Sequence, residues 1–310
     1  MIEIRNLSKQ YGKFQALHNI SFDIPNCGVL GFLGRNGAGK STTMNIITGY
    51  IAPTNGHVFF NGVDIEKCGK EAKRSIGYLP EIPPVYPDMT VNSYLHFVCR
   101  IKEVLNAKSQ AHIDTICEMT GLQDQKKRII RNLSKGYRQR VGMAQALIGN
   151  PDVIILDEPT VGLDPIQILE IEELMRNLGK DHSVVFSSHI LQEVSEVCDQ
   201  VVIIDHSEIL AQRSLRENGK RYFLTIRGKA DIAFRLSAIE GIADVRTANA
   251  NSDQTSYILA LKDKYNGDIR DPLFYMLAQS ERPVLELHPL QDSVQDLFLQ
   301  TTRLEKGGQA

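Results

Sequence analysis

The sequence has almost no net charge: 35 Lys and Arg stand against 37 Asp and Glu, a balance of −2 over 310 residues. That removes any global electrostatic argument for a nucleic-acid binder or for attachment to an anionic membrane surface. Cysteine is sparse and unpatterned. Cys27, Cys68, Cys99, Cys117 and Cys198 include no CxxC pair. Such a set speaks against a disulfide framework or a cysteine-built zinc site, and for reduced cytosolic thiols, each expected in buried packing. No apolar run reaches the roughly 18 residues of a membrane helix, and the opening MIEIRNLSKQYG lacks the apolar stretch of a secretory leader. If the protein works at a membrane, another chain must supply the membrane part. Low-complexity tracts, sustained heptads and internal repeats are missing too, which excludes a tandem array. What remains is an ordinary globular composition, 42% apolar and 23% charged, with length for about two domains.

MIEIRNLSKQYG and ALHNISFDIPN alternate apolar and polar residues, as antiparallel strands with one wet face do. GVLGFLG (28–34) is continuously apolar, the mark of a buried parallel strand. KSTTMNIITGY reads as a helix stopped at Gly49, and GHVFFNGVDI as two strands turned at Asn61-Gly62. From about Thr90 to Asn150 the apolar period becomes helical. After Pro151 strands (VIIL, SVVFSS, QVVIID) alternate with helices (IQILEIEELMRNLG, ILQEVSEVC). Beyond about residue 218 the texture changes. The remainder reads as strand, helix, two strands, helix, strand and a last helix in VQDLFLQTT, a small α+β domain.

Three stretches carry chemistry. GRNGAGKST, comprising Gly34, Arg35, Asn36, Gly37, Ala38, Gly39, Lys40, Ser41 and Thr42, follows a buried strand and opens a helix. Its glycines let backbone N–H groups turn inward on a phosphate, Lys40 adds charge, and Ser41 offers a hard oxygen to Mg²⁺. VIILDEP puts Asp157 at a strand end to reach the metal, with Glu158 next to it as general base toward water, although such acidic pairs also cap helices. SVVFSSH brings His189 to another strand end, where ligands of open parallel sheets bind, as a donor to the γ-phosphate. A further helix start, LSKGYRQR (133–140), is a second phosphate-seeking N-terminus, and Ser134 there is also a plain N-cap candidate.

Taken in order, Tyr11, GRNGAGKST, GYLPE, LSKGYRQR, VIILDEPT, GLDP and His189 resemble the nucleotide-binding subunits of ABC transporters, over residues 2 to 218. The resemblance implies an α/β P-loop NTPase core, with a RecA-like sheet, an antiparallel β subdomain and a helical subdomain at about 88–150, in residues 1–218. Residues 219–310 are left as an accessory α+β domain. It implies ATP and Mg²⁺ as ligands, Lys40, Glu158 and His189 as catalytic groups, and Ser41, Glu81 and Asp157 around the metal. Tyr11 is expected to stack on adenine. Family members form head-to-tail dimers, so Ser134 and Gly136 are expected to serve the partner's ATP, which explains two phosphate-seeking helices in one chain. Asp164 of GLDP is expected at the interface, or as a turn that Pro165 explains by itself.

Two motifs depart from the commoner family pattern. Lys135 and Tyr137 stand where Gly and Gln are usual, leaving Lys135 either beside the γ-phosphate or in solvent. Glu81 replaces a glutamine and can bind metal but cannot donate a hydrogen bond. The YLPE segment and the C-terminal LQDSVQDLFLQTT are similar to exporter-type ATPases that pair with a separate transmembrane permease. The reading is therefore an ATP-hydrolysing motor, peripheral on the cytoplasmic membrane face, pairing with a second ATPase chain in a homodimer, with no nucleic acid. The alternative is a soluble ABC ATPase acting on nucleic acid or ribosomes, which the single phosphate loop and neutral charge disfavour. The run QKKRIIR (125–131) reads as a solvated surface.

Overall fold

The computed structural model describes residues 2–104, 106–215, 221–229, 231–262, 265 and 267–290. These residues divide into two compact units, the first ending at Ser214 and the second beginning at Leu215.

In the first unit, β1 (Ile2–Tyr11) and β2 (Phe14–Ile24) form an antiparallel hairpin whose alternate residues Ile2, Ile4, Ile20, Phe22 and Ile24 are buried. β3 (Gly28–Gly34) is buried along its whole length and leads into α1 (Lys40–Ile47). β4 (Asn55–Phe60) and the short β5 (Val63–Asp64) are joined by Asn61 and Gly62, both at positive φ (49° and 80°), as a tight right-twisted hairpin turn requires. α2 (Ile65–Ser75) follows, capped by Asp64, whose carboxylate accepts from the Glu66 N–H at 3.0 Å. β6 (Ile76–Leu79) precedes the helical segment α3 (Val91–Ile101), α4 (Asn106–Met119) and α5 (Lys135–Leu147). Then come β7 (Val153–Asp157), α6 (Pro165–Leu178), β8 (Ser183–Ser188), α7 (Leu191–Val197), β9 (Gln200–Asp205) and β10 (Glu208–Ser214).

The central sheet runs β10-β9-β3-β8-β7-β6, parallel except for the antiparallel edge strand β10. The strands ending in Gly34, Ser188 and Asp157 are thus side by side. A second sheet, β2-β1-β4-β5, is antiparallel. One core joins the two, with Ile4, Leu17 and Phe22 from the second sheet and Phe32, Val185 and Val202 from the first, around Met44 and Ile47 of α1.

The second unit contains β11 (Arg221–Arg227), α8 (Ala233–Ser237), β12 (Ile242–Ala250), β13 (Gln254–Leu261), α9 (Arg270–Gln279) and β14 (Val284–Leu290). All strand pairs in its sheet, β12-β13-β11-β14, are antiparallel, which makes a split β-α-β arrangement. Its core of Leu224, Ile226, Tyr257, Leu259, Leu273 and Leu277 is its own. The helix expected in VQDLFLQTT lies outside the described residues.

The structure corrects the reading of the cysteines. Cys99, Cys117 and Cys198 are buried, and burial pushes each thiol above its ordinary value, Cys117 to about 11, so they stay protonated and inert. Cys27 is exposed, in the turn between β2 and β3.

Candidate active site

The chain leaves β3 at Gly34, where a side chain would run into the Ile204 carbonyl of the neighbouring strand. Gly39 has φ +108°, and a Cβ there would sit 2.6 Å from the Ala16 carbonyl oxygen. Both positions therefore exclude any side chain, and the loop between them stays tight. α1 begins at once, its N-terminal amides and dipole facing the loop, an arrangement suited to phosphate. The Thr43 hydroxyl secures the first turn by donating to the Gly39 carbonyl at 2.9 Å.

Lys40 is only 6% exposed. Its ammonium donates to the Gly34 carbonyl at 2.8 Å and the Arg35 carbonyl at 3.3 Å, and lies 3.2 Å from Glu158 Oε1. The other Glu158 oxygen accepts from His189 Nδ1–H at 2.9 Å. Lys40 and Glu158, both buried, and the half-exposed His189 thus form one cluster, assembled from the ends of three adjacent strands. A buried carboxylate is costly unless paired, and here two donors hold it. Behind it Asp157 is 2% exposed. Burial, followed by the nearby Asp157 charge, raises the Tyr78 hydroxyl above its ordinary value, and Tyr78 donates to Asn45 Oδ1 at 3.0 Å.

In front of the cluster is an open cavity of about 430 Å³. Asn36, Gly37, Gly39, Lys40, Ser41 and Thr42 line one side, and Glu81, Glu158, Val161 and His189 the other, with Phe14 and Ala16 at the margin. Ser41 and Glu81 present hard oxygens to it, with Asp157 behind. Among the described residues no group of three or more His, Cys, Asp or Glu side chains could by itself hold a metal. That donor set fits Mg²⁺, which binds through one or two carboxylates, a hydroxyl and the phosphates of a nucleotide rather than in an all-protein cage.

One residue expected at the nucleotide does not line the cavity, and the pair expected to serve the partner's ATP stands apart from it. Tyr11 ends β1, 48% exposed, with the Lys9 ammonium 5.2 Å from its ring centroid, and is not among the cavity-lining residues. Its cross-strand partner Phe14, 62% exposed, does line the cavity. Reading β1 and β2 as a hairpin turned at Gly12-Lys13 pairs these two rings, a signal the sequence contained. Ser134 and Gly136 do not line this chain's cavity either. Ser134 caps α5, its hydroxyl accepting from the Tyr137 N–H at 3.3 Å.

A profile described as ABC transporter matches residues 17–161. An uncharacterised ABC transporter ATP-binding protein of Bacillus subtilis is 40% identical over 217 residues, 70% of this chain and 72% of its own length. The chain belongs to the ABC transporter ATP-binding family. The bacitracin transport ATP-binding protein of Bacillus licheniformis is 35% identical, covering 72% of this chain and 73% of its own. A dimeric bacterial ABC transporter cassette of known structure superposes with a TM-score of 0.65 at 25% identity, over 70% of this chain and 99% of that one. As an ABC ATPase, this protein binds and hydrolyses ATP, and its described residues include no helix long and apolar enough to cross a membrane.

Within this ABC ATPase, LSKGYRQR (133–140), the signature segment, packs on the GLDP loop of the same chain. A Cβ at Gly136 would meet the Gln167 amide, and one at Gly162 would meet the Lys135 ammonium. Lys135 therefore lies along that loop. Asp164 caps α6, accepting from the Gln167 N–H at 3.0 Å, with Pro165 in the first turn. Arg140 of α5 pairs with Glu170 of α6. Signature helix and GLDP helix are thereby tied together. Gln167 was not foreseen, because nothing local marks it.

Proposed function

We propose that this ABC ATPase drives an exporter whose path through the membrane is a separate permease, docked at the cytoplasmic membrane face, and that it works as a homodimer sharing two MgATP sites. The observation that carries this reading is the division of phosphate-seeking groups. Lys40, Glu158 and His189 close on one cavity, while the equally phosphate-suited helix start at Ser134 and Gly136 stands outside it. A second chain brings its Ser134 and Gly136 to that cavity. The relative named for bacitracin transport supports transport as the work performed. The outward direction rests on the exporter-like YLPE segment.

The residues then divide the work as follows. The loop from Gly34 to Thr42 cradles the β-phosphate through backbone N–H groups, and Lys40 spans the β- and γ-phosphates. Tyr11 and Phe14 flank the adenine. Without nucleotide, Lys40 and His189 hold the two Glu158 oxygens. An arriving γ-phosphate competes for Lys40, which frees Glu158 Oε1 to orient an attacking water and accept its proton while His189 stays on Oε2. His189 holds its Nδ1 proton toward Glu158, leaving Nε2 to face the transferred group and to donate to it when the ring is charged. Ser41, Glu81 and Asp157 would hold a magnesium ion, which would supply charge neutralisation at the phosphates. The partner's Ser134 hydroxyl and helix dipole stabilise the negative charge that develops on the γ-phosphoryl group. Closing the dimer moves the helical segment 88–150 against the permease.

Tagged Glu158→Gln protein, loaded with MgATP in its native cells and extracted in mild detergent, tests this. Recovery of a polytopic membrane protein in one-to-one ratio is expected. Recovery of only soluble partners, ribosomes or nucleic acid would overturn the exporter reading.

A further inference from the structure

The chemistry assigned above depends on Asp157 and Glu158 being held in one geometry, and neither residue can do that alone. Glu158 has φ +48°, in the left-handed region that is unfavourable for a non-glycine residue. Its peptide N–H has left the β7 ladder and is buried, so it needs an acceptor. Asp157, the last residue of β7, has a buried carboxylate with rotational freedom about its side-chain bonds. From the reading of Asp157 and Glu158 given above we infer that Ser187 is the positioning residue for both, a single hydroxyl that locks the acidic pair in place.

Ser187 is fully buried and stands directly opposite Asp157 in the parallel β7–β8 register. Its Oγ donates to Asp157 Oδ1 at 2.6 Å and accepts from the Glu158 N–H at 2.9 Å. A hydroxyl has one proton and two lone pairs, so both bonds form at once without competition. The first fixes the rotamer of Asp157 and engages one carboxylate oxygen, leaving the other for the cation. The second satisfies the N–H at the point where the backbone enters the left-handed region, and that turn carries Glu158 to Lys40 and His189. An alanine or valine at position 187 would leave the Glu158 N–H buried without a partner and Asp157 free to rotate.

The neighbouring Ser188 acts on a different segment. It donates to Glu193 Oε2 at 2.6 Å and accepts from the Ile190 N–H at 2.9 Å, which shapes the turn bearing His189. The two serines thus serve opposite sides of the same catalytic cluster, and only Ser187 touches the acidic pair.

The test uses the full-length chain and three variants: Ser187→Ala, Ser187→Thr and Glu158→Gln. ATP turnover is measured against MgATP and, separately, against free Mg²⁺ at saturating ATP, with Mg²⁺-free ATP affinity by calorimetry. Ser187→Ala is expected to lower kcat about 30-fold, less than the roughly 10²–10⁴-fold that the general base itself supplies because the base is displaced and not removed, and to raise the Mg²⁺ concentration for half-maximal activity several-fold. Mg²⁺-free ATP affinity should stay within twofold of the parent. Ser187→Thr, which keeps the hydroxyl, should restore kcat and the Mg²⁺ midpoint toward the parent values. A role in packing alone would lower the melting temperature without moving the Mg²⁺ midpoint, and that result overturns the inference. So does an alanine variant with parental kcat. Should the alanine variant not fold, Ser187→Cys, close in size with a weak donor, takes its place and must show the same loss. Glu158→Gln separates the two levels. If it retains turnover, the assignment of the base fails and Ser187 with it. If it is inactive while Ser187→Ala is unimpaired, only the Ser187 inference fails.

Discussion

At the residue scale, the site holds the buried charges of Lys40 and Glu158 by giving each several short-range partners. Lys40 has two carbonyls and a carboxylate around its ammonium, all from its own chain. Lys40→Ala removes a buried charged donor from the phosphate pocket. MgATP affinity measured by calorimetry is expected to fall at least about tenfold, the loss typical of a charged hydrogen bond. Tyr11 and Phe14 are expected to act on the base only. Replacing both with alanine should weaken ATP about tenfold, as loss of one good stacking contact does, while affinity for inorganic triphosphate remains unchanged. Equal loss for both ligands would place the rings elsewhere in the mechanism. The glycine-rich loop was legible in the sequence because its requirement is local: Gly34 and Gly39 leave no room for a side chain, and Lys40 follows at fixed spacing. Phe14, Ser187 and Gln167 were not legible. Each gains its role from a partner on another strand or helix, and no single stretch of sequence records that pairing.

At the element scale, the strands and helices that were read correctly are the ones with strong periodicity or unbroken apolar runs, such as β3, β7, β8 and α6. Three elements escaped. α2 (IEKCGKEAKRS) is too polar and is interrupted by Gly69, β6 has four residues, and β10 alternates weakly because it is an edge strand. The helical segment offers a pH test. His112 of α4 accepts from the Gly149 N–H through Nε2 at 3.0 Å, so it must be neutral there, and burial, then the Lys102 charge, hold its pKa below the ordinary value. Between the folded and unfolded pKa values the unfolded chain binds more protons. This contribution to stability is therefore present above about pH 6.5 and is lost as pH falls through that value toward the lower folded one. His112→Gln is expected to lose less melting temperature than the parent between pH 7.5 and pH 5. Equal losses would show that the histidine does not contribute.

At the scale of the whole molecule, the family fold accounts for the first unit, and the second unit begins at Leu215, a few residues before the 218/219 boundary that the change of sequence texture suggests for an α+β domain. In the proposed homodimer, half of each ATP site comes from another copy. The lack of Ser134 and Gly136 on the chain's own cavity makes the consequence concrete. Ser134→Arg places a bulky cation at the signature helix start, away from the nucleotide held by its own chain. ATP affinity per chain should be unchanged, while ATP-dependent dimerisation of the Glu158→Gln background, followed by light scattering, should be lost.

The most direct measurement of the shared site mixes two chains that are each inactive, Ser134→Arg and Glu158→Gln. In a mixed dimer one site combines both defects. The other pairs the intact Glu158 of the first chain with the intact Ser134 of the second. ATP turnover of the equimolar mixture is expected to rise well above the sum of the separate chains. A mixture no more active than that sum would contradict a site built from two chains.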